Sequence, residues 1–184
     1  MHQRLFASLF LIFTAVTNLV AAPLSGEKQV ILKDRKGGET VIGKVHFEPL
    51  DNEKSRYQLH LDHKLFKDYF LSMKEMKCLE GPELWCHIPY PYAQPREVSA
   101  TDLRWLEHDL MFMFKKPSEF GANFWNGIYY SIASEGGKLG GSAMAVDLNM
   151  LASPPDDLAI PPVNEGLLDE IELSQRWLPH IEIR

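Results

Sequence analysis

Apolar and polar residues alternate with a period of two over much of this chain, as they do in strands with one face buried. Val41, Val45 and Phe47 alternate with Lys44, His46 and Glu48, and Tyr57, Leu59 and Leu61 alternate with Gln58, His60 and Asp62. The polar loop Pro49-Leu50-Asp51-Asn52-Glu53-Lys54 between them predicts a hairpin. The turn Arg35-Lys36-Gly37-Gly38 predicts a preceding strand over residues 29–34. Phe66, Tyr69, Phe70 and Met73 have helical spacing, yet Tyr69-Phe70-Leu71 suits a buried strand running towards Cys78. The strand is preferred, with residues 84–88 returning beside it. Pro89, Pro91 and Pro95 hold the next stretch as extended loop, because each pushes its predecessor out of helical geometry.

Ser99-Ala100-Thr101-Asp102 has the form of a helix start, a Ser cap with an acid three positions on. Leu103, Leu106, Leu110 and Phe114 allow one helix as far as Lys116, which Pro117 stops. The preferred parse is a short helix to about Glu107 and then a strand through residues 110–114, buried on both faces. Residues 128–134 and 139–149 flank the turn Glu135-Gly136-Gly137-Lys138 as a second hairpin. Its last strand places Met144, Val146 and Leu148 on one face and the small residues Gly141, Ala143 and Ala145 on the other. Pro154-Pro155, Asp156-Asp157 and Pro161-Pro162 then describe an extended acidic segment, followed by a short helix around residues 167–173. The alternating end Ile181-Glu182-Ile183 is expected to dock as an edge strand, since Pro179 precedes it. About eight strands with short connections predict a mainly β fold. The leading form is an antiparallel meander closing into a lipocalin-like barrel; the second is a curved sheet with one or two short helices.

The start of the chain follows a different pattern. Arg4 is followed by the apolar run Leu9-Phe10-Leu11-Ile12-Phe13, and then by the small residues Val20, Ala21 and Ala22. Residues 1–22 are read as a cleavable secretory signal peptide, cut after Ala21 or Ala22. The apolar run is short for the roughly 20 residues a spanning helix needs, so no stable membrane anchor is expected after cleavage. Residues 23–150 then form a β-rich core domain, and residues 151–184 an acidic, Pro-rich segment and tail packing on it. A periplasmic or secreted location follows.

Charge narrows the partners. The 184-residue chain has 19 Lys and Arg against 25 Asp and Glu, a net charge of −6. Between Lys138 and Arg176 there is no Lys or Arg, a surface with no hold on phosphate backbones. Nucleic acid is excluded as a partner on that ground. Cys78 and Cys86, the two cysteines, read as a disulfide in an oxidising compartment. The Gly81-Pro82 turn between them makes closure natural; a metal pair would need further soft ligands, and only His87 is near.

No motif assigns a catalytic residue, a cofactor or a metal. His46, His60 and Asp62 share a parity and could meet on one outward face, which is the ordinary state of a solvated sheet. In Glu107-His108-Asp109, a strand would point His108 away from the two acids. Gly140-Gly141-Ser142-Ala143 lacks the second glycine of a nucleophile elbow. Asp147, Asn149, Asp156 and Asp157 lack the glycine and distal Glu of a calcium loop. The aromatic residues say more. Fourteen of the twenty lie between Phe66 and Tyr130, and Tyr90, Tyr92, Phe124 and Trp125 fall in loops where core filling does not account for them. Such residues can line an apolar pocket, with Gly141, Ala143 and Ala145 leaving room inside.

The stretch Cys78-Leu79-Glu80-Gly81-Pro82-Glu83-Leu84-Trp85-Cys86-His87-Ile88-Pro89-Tyr90-Pro91-Tyr92 resembles part of an uncharacterised family of exported bacterial proteins. The similarity extends through Asn126-Gly127-Ile128-Tyr129. It implies bacterial export and carries no function and no site residues. The expected function is a non-catalytic module that binds an apolar or amphipathic small molecule. The alternatives are an envelope protein docking a protein partner through its acidic C-terminal segment and, third, a hydrolase using His87 or His108.

Overall fold

A computed structural model describes residues 22–71, 75–135 and 138–184. Residues 1–21 of the expected leader, Met73, and Gly136 and Gly137 of the expected hairpin turn lie outside them. Eleven strands form a single sheet: β1 (Gly26–Lys33), β2 (Glu39–Pro49), β3 (Lys54–Leu61), β4 (Lys67–Phe70), β5 (Glu75–Glu80), β6 (Leu84–His87), β7 (Glu97–Ser99), β8 (Phe112–Lys115), β9 (Gly127–Glu135), β10 (Lys138–Val146) and β11 (His180–Ile183). Every pairing is antiparallel. The spatial order is β4-β5-β6-β8-β9-β10-β11-β1-β2-β3-β7. β4 and β7 are free edges, so the sheet is open and curved rather than closed into a barrel.

Two departures from a simple meander build this order. β7 leaves β6 and pairs at the far edge with Lys54, Ser55 and Arg56 of β3. The chain returns through helix α1 (Arg104–Asp109), which packs on β7 and β9 and buries Trp105 and Leu106. β11 is not the edge strand expected from its alternation: it inserts between β10 and β1. Both of its sides meet strands with unpaired backbone, so Ile181 and Ile183 are buried. The tail is an interior part of the sheet.

The alternation holds along β2 except at one point. Val30 pairs with Gly43 and Ile31 with Val41, leaving Ile42 as an extra residue, a bulge that reverses parity. Ile42 is therefore buried and Val41, expected inside, is 42% exposed. Gly43 is required there, since a Cβ would lie 2.3 Å from the His60 carbonyl oxygen.

Other expectations shift locally. The strand expected towards Cys78 is two antiparallel strands, β4 and β5. The short helix followed by a strand is the parse adopted, with β8 largely buried. The helix begins at Arg104, and Ser99 instead accepts the Asp102 amide in a turn ahead of it, at 3.0 Å. Around residues 167–173 there is no continuous helix but 3-10 turns at Glu165–Leu167 and Leu173–Gln175.

Cys78 and Cys86 face each other on β5 and β6 and are bonded, with Cα atoms 3.9 Å apart, closer than the usual 4.4–6.8 Å. The C-terminal segment locks this hairpin. The Trp177 ring packs where a Gly81 Cβ would be, and the Trp177 backbone amide donates to Glu83 Oε2 at 2.8 Å. Arg176 pairs with Glu83 at 2.8 Å and stacks 3.9 Å from the Phe114 ring centre. No helix of the described residues is long and apolar enough to cross a membrane.

Candidate functional site

β7 covers the first residues of β3 and no more, so Leu59 and Leu61 are left at an uncovered edge. The chain turns at His63–Leu65 and runs back as β4 beside β5. Between the β3 edge and β5 lies a cleft of about 680 Å³. Its walls are Leu59 and Leu61 from β3, Met76 from β5, the loop Ile88-Pro89-Tyr90-Pro91, and Phe124, Leu148 and Leu151 from the opposite side. The polar groups reaching it are few: His63, Glu75, Lys77, His87, Arg96, Asp109 and Asn149. A mainly apolar concavity of this size with a few convergent polar groups is the usual form of a small-molecule site.

The expected binding residues divide. Tyr90 and Phe124 line the cleft. Tyr92 stands edge-on to Tyr90, ring centres 5.7 Å apart, and its hydroxyl donates to the Leu151 carbonyl at 2.8 Å, tying the cleft loop to the 148–152 turn. Trp125 is 71% exposed and does not line the cleft. Gly141, Ala143 and Ala145 lie on β10, outside the cleft lining. The space at Gly141 is filled by the β9 backbone, for a Cβ there would meet the Ser131 carbonyl oxygen at 2.2 Å. Ala145 is bridged to Asp169 of the C-terminal segment.

α1 carries Glu107, His108 and Asp109, all buried. A helix, not a strand, spaces them, so they face three different neighbours. Glu107 accepts the Tyr129 hydroxyl at 2.7 Å and the Ile132 amide at 2.6 Å, while burial pushes its carboxyl up from the ordinary range. His108 donates from Nδ1 to the Arg104 carbonyl at 2.6 Å and accepts the Val163 amide at Nε2, 3.2 Å. Both nitrogens are thus engaged by backbone, and burial depresses its pKa to about 4. Its nearest side-chain hydroxyl, Tyr129, is 3.4 Å from the nitrogen already bonded to Arg104. This is the geometry of a structural histidine, not of a general base.

Asp109 reaches the cleft itself. Its Oδ1 accepts from Gln94 Nε2 at 2.7 Å and its Oδ2 lies 2.8 Å from the Tyr57 hydroxyl. That hydroxyl also faces the Trp105 carbonyl at 2.8 Å and Gln94 Oε1 at 3.0 Å. One hydroxyl proton cannot serve three oxygens. A proton on Asp109 reduces the deficit, letting the acid donate to Tyr57 and Tyr57 donate to Trp105, with Gln94 Oε1 left unserved. Burial raises the Asp109 pKa in the same sense, against the lowering pull of Tyr57, Arg96 and Gln94. His87 donates from Nε2 to the Asp109 carbonyl at 2.8 Å, and burial lowers its pKa.

Two groups in the cleft are less well provided for. The Tyr90 hydroxyl is buried without a hydrogen-bond partner among the described residues. Such a group ordinarily costs about 1–3 kcal/mol. Arg96 is held at φ 54°, the left-handed region, where a side chain is rarely tolerated. Its guanidinium has no carboxylate within 4.0 Å among the described residues.

His46, His60 and Asp62 are exposed or nearly so on the outer sheet face, and no group of three or more His, Cys, Asp or Glu among the described residues is arranged to hold a metal. Sequence reasoning did not single out Tyr57, Gln94 and Arg96 as site residues, and it weighed Asp109 only as a neighbour of His108 on an assumed strand. The inward parity of Tyr57 was visible, but the position of its hydroxyl against α1 depends on contacts 37 to 52 residues away in the chain. Against this geometry no family model, no curated protein and no solved structure matches the chain.

Proposed function

We propose that the protein is an exported binding module that holds an apolar or amphipathic small molecule in the cleft between β3 and β5. The observation that carries this reading is the cleft of about 680 Å³ walled by Leu59, Leu61, Met76, Ile88, Phe124 and Leu151. The apolar walls supply affinity through burial, at about 25 cal/mol per Å² of apolar surface removed from water. The disulfide hairpin β5–β6 and the Tyr92–Leu151 hydrogen bond preorganise two sides of the cleft. The basic and apolar leader, together with the disulfide, supports an oxidising compartment.

The alternative, a protein partner held by the acidic segment over residues 154–172, requires that segment to act as an arm. It is sewn to the core instead: Val163 is buried with its amide on His108, and Asp169 bridges Ala145. The cleft is the better reading.

Titration with phenylnaphthylamine, a neutral probe that fluoresces in apolar surroundings, tests it. Saturable binding is expected, weakened at least about tenfold in Leu59→Trp, which fills the cleft from its uncovered edge, with the thermal midpoint kept. No saturable binding, or equal binding by Leu59→Trp, would refute the assignment.

A further inference from the structure

We infer that the ligand of this cleft is an amphiphile with an anionic oxygen head group, received by the Arg96 guanidinium and the Tyr90 hydroxyl. The inference rests on the cleft being an apolar ligand site and adds the chemistry of the head group. The charged groups around the cleft are unequally partnered. Lys77 is paired with Asp68 at 2.5 Å, and Lys77 and Glu75 lie exposed on the same strand at the rim. Asp109 has both carboxyl oxygens engaged, by Tyr57 and Gln94, and burial raises its pKa. Arg96 is the lining cation without a carboxylate within 4.0 Å among the described residues.

Arg96 is exposed, and its backbone sets where the side chain leaves the loop. Arg96 follows Pro95; the Arg96 carbonyl accepts the Tyr57 amide at 3.0 Å, and the left-handed φ of 54° at Arg96 turns the loop at the cleft wall. A residue held in a rarely tolerated conformation beside a ligand site is where function and strain commonly coincide. The second observation is independent. Tyr90 lines the same cleft and is 7% exposed, and its hydroxyl is the one buried side-chain oxygen without a partner among the described residues. An unpaired donor and an unpaired cation together fit a carboxylate, sulfate or phosphate ester, which accepts from both.

The decisive measurement compares dodecanoate with 1-dodecanol as displacers of phenylnaphthylamine, both below their micellar range at pH 8. An apolar groove alone prefers the alcohol, because the carboxylate loses more hydration on entry. The inference therefore predicts the opposite order, with dodecanoate bound about tenfold or more tightly than the alcohol. The ratio should fall to one or below in Arg96→Gln. In Tyr90→Phe it should fall severalfold while the thermal midpoint stays level or rises, since no hydrogen bond is lost from the empty protein. Dodecyl phosphate, run in parallel, distinguishes a phosphate preference from a carboxylate one.

Wild-type protein that binds dodecanol as well as or better than dodecanoate overturns the inference and leaves the apolar reading standing. A preference that survives Arg96→Gln also overturns it. An unchanged ratio in Tyr90→Phe removes Tyr90 from the site. Failure to bind the probe and both displacers sinks the cleft reading itself.

Discussion

Acid should loosen this fold through His108, and the size of the effect follows from its surroundings. The imidazole lies edge-on to Tyr90 and Tyr129, with ring centres 5.4 Å away in each case, and 5.6 Å from Trp105. Nε2 accepts the Val163 amide, so protonation sets one N–H against another in a site with no exposed surface. The charged groups nearest it belong to its own helix: Arg104, whose charge opposes protonation, and Glu107, which is already engaged by Tyr129. The folded pKa of about 4 lies below the ordinary 6.5, so the unfolded chain binds the proton first. Stability from this group is complete above pH 6.5 and is lost as pH falls towards 4. At about 1.4 kcal/mol per pH unit the whole effect is about 3 kcal/mol, of which about 2 kcal/mol goes between pH 7 and 4.5. Glu107 and Asp109 act oppositely. Burial raises both, so their protonation favours the folded state as pH falls and masks part of the loss. Comparison with His108→Gln separates the contributions. Urea unfolding should show the substitution costing about 2 kcal/mol less at pH 4.5 than at pH 7. The protection of the Val163 amide, the slowing of its exchange relative to an unstructured amide at the same pH, should fall at the lower pH in the wild type. A substitution cost that stays constant across this range would refute the argument that a neutral His108 latches the 163 segment.

Loss of the Cys78–Cys86 bond should lower stability by about 2–5 kcal/mol in Cys78→Ser, read from urea midpoints, and thiol labelling of the unreduced, unfolded wild type should find no free cysteine. Labelling of two thiols would disprove the pairing. Asp109→Asn tests the proton count at Tyr57: an amide donates as the protonated acid does, so the cost at pH 7 should be below about 1 kcal/mol by thermal melting. A loss of about 1.5–3 kcal/mol would show instead that an ionised carboxylate had been holding the network.

The parts of this fold that could be read along the chain are those set by near neighbours. The alternation at Tyr57, Leu59 and Leu61 identifies β3 and its inward face, and the Gly81-Pro82 turn brings Cys78 and Cys86 opposite each other. Alternation fails where a single extra residue enters, as at Ile42, because a bulge reverses parity without altering composition. It also says nothing about which strand lies beyond an edge. Ile181-Glu182-Ile183 has the same pattern whether it closes one side of the sheet or fills a gap between β10 and β1. The cleft depends on this second, hidden kind of information. β3 has eight residues and β7 three, so the neighbour that might have extended over Leu59 and Leu61 stops at Arg56. Chain turned away from that edge by Pro95 and Arg96 enters the cleft wall instead of lengthening the strand. The apolar faces of Leu59 and Leu61 follow from local pattern, but their availability to a ligand comes from the shortness of β7, a strand from much later in the chain that pairs with Lys54, Ser55 and Arg56 alone.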